Sequence, residues 1–217
     1  QITAEEEVII KCKLQDGNKQ SQRLLNLLRE DLGALEVLEI DFIGPTIGAE
    51  LRETSIWIVL AVSVFLLLYI TWRFEFGFGL SSIIALAHDA LVTISLASIL
   101  MIEINTAFVA AILTILGYSI NDTIVVFDRI RENKKLHKDT LDLTQISNLS
   151  IQQTLTRTIN TSITTLVVIS SLLIFGGTTI KSFCLVLLLG ILSGTYSSVF
   201  IASPSLLYFV SEEETEE

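Results

Sequence analysis

An α-helical polytopic membrane protein, with five transmembrane helices carrying a small external α/β domain, is the fold class this sequence predicts. Three observations point there: 51% of the 217 residues are hydrophobic, only 18% are charged, and from Ser55 onward the apolar residues run in long windows. A soluble domain needs more polar surface than this, so the solvent implied is a lipid bilayer. The net charge of -10 does not conflict with it, because 11 of the 24 acidic residues precede Ser55 and five more crowd Glu212 to Glu217. No basic stripe with interleaved aromatics appears, which argues against nucleic acid as a partner. Cys12 and Cys184 lie in segments of different character and suggest no disulfide framework. Gln1 to Glu7, polar and acidic, do not read as a signal peptide; targeting is expected from the helices or from sequence outside this chain.

Residues 1–53 read as a small external module. Ile10, Cys12 and Leu14 alternate with lysines as in a half-buried strand, and Asp16-Gly17-Asn18 reads as a turn. Leu24, Leu25, Leu28 and Leu32 follow at helical spacing until Gly33, a natural helix C-cap. A second strand-like run, Leu35 to Ile43, stops at Gly44-Pro45. One strand, one helix and one strand make too little core to stand alone, so the module reads as part of a ferredoxin-like α/β sandwich.

Residues 54–210 hold apolar windows at about 55–72, 78–102, 105–127, 158–175 and 183–203. Each is near the ~20 residues that cross the hydrocarbon core. Arg73, Arg129, Arg131, Lys134, Lys135 and Lys138 fall in the connections on one side of the windows, while the flanks of the windows on the other side carry only Arg52 and Lys181. The excess marks the cytoplasmic side, which places residues 1–53 outside the cell and the loop 128–150 and acidic tail 211–217 inside. The loop reads as a solvated connection, with a short interfacial helix as the alternative.

Ionisable groups inside a bilayer cost several kcal/mol, so each needs a partner or a task. His88 and Asp89 lie in the second window and Asp122 in the third, while Arg157 opens a fourth window crowded with hydroxyls. Positions three and four apart share a helix face, which groups Tyr118, Asn121 and Asp122, and likewise Arg157, Asn160, Thr161 and Thr164. On antiparallel helices Asp122 and Arg157 reach similar depth, each within ~10 Å of the cytoplasmic end of its window. They form a candidate proton or ion relay, with a structural salt bridge as the alternative. His88 and Asp89 point ~100° apart, so they are not expected to act as one pair on one face. Gly190, Gly194 and Ser198 make a small-residue stripe suited to close helix packing. No metal-ligating cluster and no cofactor motif is present.

Gly44-Pro45-Thr46-Ile47-Gly48, Arg73-Phe74-Glu75, His88-Asp89, the run Gly117-Tyr118-Ser119 through Asn121-Asp122 to Asn133, Thr154 to Ser162, Phe175-Gly176-Gly177 and Gly194 to Ser198 together resemble the SecF family of bacterial protein-export membrane proteins, over about residues 40–204. The resemblance implies a six-helix half of a resistance-nodulation-division type fold, here without its first transmembrane helix. It implies pairing with SecD beside the SecYEG translocon, with YajC, YidC and the translocating preprotein as further partners in the bacterial inner membrane. It further implies use of the proton-motive force, with roles for an intramembrane Asp and Arg that map onto Asp122 and Arg157. A non-conducting translocon scaffold and a half-transporter of the efflux type are the alternatives. An aspartyl protease built on Asp89 and Asp122 would need both carboxylates at one depth on facing helices, so no enzymatic activity is expected.

Overall fold

The computed structural model describes residues 10, 17–33, 37, 45–137 and 140–216. Two compact units divide the chain, Gln1–Thr54 and Ser55–Glu217. In the first, α1 (Gly17–Leu32) ends at Gly33, whose φ of 82° and N–H to Arg29 O at 3.1 Å form the left-handed cap the glycine suggests. The strands expected at Ile10 to Leu14 and Leu35 to Ile43 fall almost wholly outside the described residues.

α2 (Pro45–Arg73) has proline at its first position, where the missing N–H is not needed. α3 (Phe76–Ile99), α4 (Thr106–His137), α5 (Leu143–Phe175) and α6 (Thr178–Ser197) follow, then a π-helical turn (Ser198–Ala202) and α7 (Ser203–Glu216). Among the described residues five stretches are long and apolar enough to cross a membrane, Glu50–Arg73, Phe76–Ile99, Thr106–His137, Leu143–Phe175 and Thr179–Val210. The last span is the hub, with 56% of its most apolar window buried against 6% for the first. Met101, at φ 53°, reverses the chain after α3, and the Ile102 N–H closes on Ala97 O at 2.9 Å.

The connection between α4 and α5 differs from the sequence expectation. Residues 128–137 continue α4 and 143–150 belong to α5, so the loop expected over 128–150 shrinks to a short turn. Charged residues ended the apolar windows without ending the helices, because they satisfy one another on the helix surface. Arg131 pairs with Asp128 at 3.0 Å and Arg129 with Glu132 at 2.5 Å, each three residues apart. A reciprocal capping box starts α5, the Asp142 carboxylate accepting from Gln145 N at 2.6 Å and Gln145 Oε1 accepting from Asp142 N at 3.2 Å. Buried Asn133 then staples the hairpin by donating to Ser150 Oγ and Gln153 Oε1, each at 2.8 Å. The acidic tail likewise continues α7 as far as Glu216.

Candidate functional site: two buried carboxylates

Asp122 sits about midway along α4 and Arg157 about midway along α5. The helix extensions thus place both farther from the helix ends than the apolar windows implied. Antiparallel contacts bracket them, Asn133 to Ser150 below and Tyr118 Oη donating to Thr161 O at 3.1 Å or Thr165 Oγ1 at 3.0 Å above. In that register Asp122 lies level with Thr161, one turn from Arg157. No ion pair within 4.0 Å joins Asp122 and Arg157. The Thr161 hydroxyl is turned back to its own helix, donating to Arg157 O at 3.0 Å or Thr158 O at 2.9 Å. Asp122 is only 4% exposed, and its Oδ2 has no hydrogen-bond partner. Asn121, Arg157, Asn160 and Thr164 are exposed on the outer face of the α4–α5 pair, and Thr164 donates to Asn160 O at 3.0 Å.

Asp89 has the opposite environment. It is fully buried, and its Oδ2 accepts from Ser119 Oγ at 2.5 Å and Ser197 Oγ at 2.7 Å. Its Oδ1 accepts from Ser193 Oγ at 3.0 Å and lies 3.2 Å from His88 Nδ1. His88 and Asp89 therefore do pair, contrary to the expectation from helix angles. The imidazole reaches far enough from its own Cα to bridge the ~100° between neighbouring positions. The three serines come from α4 and α6, and their partner is 30, 104 and 108 residues away in sequence. Hydroxyls recurring at Ser193 and Ser197, one turn apart on an otherwise apolar helix, were the only available signal.

The small-residue stripe lies where helices approach most closely. A Cβ on Gly190 would fall 2.1 Å from Ile115 Cδ1, and one on Gly194 would fall 2.9 Å from Ser119 Cβ. Ser198 is buried at the start of the π-helical turn and donates to Thr195 O at 3.1 Å. Ser162 Oγ and Thr195 Oγ1 meet at 2.7 Å, tying α5 to α6.

The fold and the two carboxylates together define a multi-pass integral membrane protein with ionisable groups in its bundle. A family described as "Protein export membrane protein SecD/SecF, C-terminal" matches residues 24–212, and the chain belongs to that family. It is 43% identical to a protein translocase subunit SecF of Sebaldella termitidis over 94% of this chain and 65% of that protein. It is 50% identical to the SecF subunit of Haemophilus influenzae over 77% of this chain and 51% of that one. The crystal structure of SecDF from Thermus thermophilus, described as a translocon-associated membrane protein, superposes with a TM-score of 0.80 at 41% identity, covering 89% of this chain and 27% of that one. The chain thus spans about two thirds or less of the length of these relatives.

Proposed function

We propose that this chain is the SecF-type half of a protein-export accessory complex in the bacterial inner membrane. With SecD it uses the proton-motive force to assist preproteins through the SecYEG channel, with YajC and YidC as neighbouring partners. Asp122 and Arg157 are its proton relay. The similarity to SecF subunits and to SecDF supports the export role. The observation that carries the relay is the contrast between the two carboxylates. Asp89 has all its acceptor capacity filled, as a structural carboxylate does, whereas Asp122 is buried with Oδ2 unpartnered. An idle acceptor of this kind costs about 1–3 kcal/mol or more, and its unused capacity is what a mobile proton would occupy. Exposed Arg157 and Asn160 beside it leave the polar side of the site facing out of this chain, toward a second half. The basic residues near Arg73 and Lys134 orient the bundle with residues 1–53 outside and Glu213 inside.

Removing one member of a purely structural pair leaves a buried charge at a cost of ~3–5 kcal/mol, and neutralising both restores stability. A relay regains assembly in the double variant without regaining activity. Asp122→Asn is expected to abolish proton-driven stimulation of export, Arg157→Ala to do the same with some loss of assembly, and Asp122→Asn with Arg157→Gln to assemble yet stay inactive. Export by the double variant at the parental rate, at equal membrane abundance, would reduce the pair to a structural one.

A further inference from the structure

The Asp89 cage links the helices that carry the relay. Ser119, which donates to Asp89 from α4, is 1% exposed and stands three residues before Asp122 on the same side of that helix. Ser193 and Ser197 donate from α6, so one carboxylate ties α3, α4 and α6 together. Gly194 makes the three-way contact possible, since any Cβ there would collide with Ser119. Between the two caging serines of α6, Thr195 meets Ser162 of α5, five residues beyond Arg157. Polar contacts therefore tie Asp89 directly to α4 and α6, and α6, through Thr195, to α5.

We propose that Asp89 is a positioning residue for Asp122 and Arg157: its caged carboxylate sets the register of α4 against α6, and through Ser162 that of α5. This rests on the relay reading above. Ordinary apolar packing permits small slides of one helix along another, because methyl and methylene contacts are nearly equivalent after a slide. Directional bonds to one carboxylate are not equivalent, and in a dry interior an unmade one is expensive. The titratable groups facing Asp89 are His88 on its own helix and, beyond that imidazole, Tyr196 on α6, whose ring lies 6.2 Å from that of His88; on α4 the nearest in sequence to its donor Ser119 is Asp122, one turn on.

The test uses the full-length subunit assembled with its SecD partner, reconstituted in vesicles. Ser119→Ala, Ser193→Ala and Asp89→Asn are compared with Ser193→Thr, which keeps the hydroxyl. Proton-driven export is followed across pH, beside hydrogen–deuterium exchange of α4 around Asp122 and the yield of assembled complex. The expected result is an apparent pH midpoint displaced by roughly half a unit or more in the alanine variants, with faster exchange in α4 and yield retained, while Ser193→Thr keeps the parental profile. Alanine variants that assemble with the parental profile and parental exchange would overturn the proposal. Should Asp89→Asn fail to assemble, the single serine variants decide the matter, each removing only one donor. If Asp122→Asn leaves export intact, the relay reading fails by itself. Exchange around Asp122 then still decides whether Asp89 holds α4: unchanged exchange counts against it, and faster exchange supports it.

Discussion

Gly190 shows how closely α4 and α6 approach. A methyl there would meet not only Ile115 Cδ1 at 2.1 Å but also Cγ1 at 2.4 Å and Cγ2 at 2.8 Å, so no single rotamer change of Ile115 clears it. Gly190→Ala is expected to cost about 1–3 kcal/mol, with much of that recovered when Ile115→Ala is added, read as thermal unfolding in detergent. Gly117 is the control, exposed with nothing within 4 Å of where a Cβ would stand, so Gly117→Ala should be neutral or stabilise by up to about 1 kcal/mol through helix propensity. Equal losses at both glycines would mean that flexibility, not close packing, is what Gly190 supplies. The stripe itself was legible because small residues four apart have one common use in a membrane helix. Asp122 and Arg157 stand out in the sequence because charges are rare in membrane helices. The partners of Asp89 do not, since a serine in an apolar helix most simply bonds its own preceding turn, as Ser81 and Ser82 do to Gly77 O and Phe78 O at 2.8 Å.

The hairpin of α4 and α5 shows where hydropathy stops being a guide to helix length. An apolar window records what the bilayer requires, whereas the helix is held by hydrogen bonds and continues wherever caps and side-chain pairs allow. Asn133, buried among Ser150 and Gln153, shows that the α4–α5 interface persists beyond the apolar windows. Its amide hydrogen bonds do there what apolar contacts do farther along. The start of α5 depends on Asp142, whose carboxylate takes one of the otherwise unpaired N–H groups of the first turn. Asp142→Ala is expected to cost about 1 kcal/mol and to speed amide exchange in the first turn of α5 about fivefold, leaving the middle of α5 unaffected. Asn133→Ala, which strips a buried staple, should loosen both helices of the hairpin together. Exchange in α5 that stays at the parental rate in Asp142→Ala would show that tertiary contacts alone set the start of the helix.

Two arguments at the scale of the molecule meet on the outer face of the bundle. The basic asymmetry predicts topology: in a background with Cys12 and Cys184 replaced by alanine, single cysteines at Glu30 and Thr179 should react with a membrane-impermeant thiol reagent on intact cells, and one at Lys135 should not. Labelling at Lys135 would invert the orientation. The five spans were legible from windows alone, while the strands of residues 1–53 fall outside the described residues and stay an expectation.

The same bundle leaves Asn121, Arg157, Asn160 and Thr164 exposed on one side of α4 and α5, between apolar neighbours such as Ile159 and Ile163, themselves 42% and 53% exposed. Amides and a guanidinium facing hydrocarbon have no water to satisfy them, so the lone chain bears a cost that a polar partner surface would remove. If SecD supplies that surface, making this face apolar should have opposite effects on the two states. Asn160→Leu with Thr164→Leu is expected to raise the thermal stability of the chain purified alone and to lower its co-purification with SecD severalfold, since the partner's polar groups would then lack bonds. Asn160 and Thr164 belong to the polar side of the site, so association is read from co-purification and not from export. A surface that merely faces lipid predicts a gain in stability with association unchanged, and that result would place the second half on another side of the bundle.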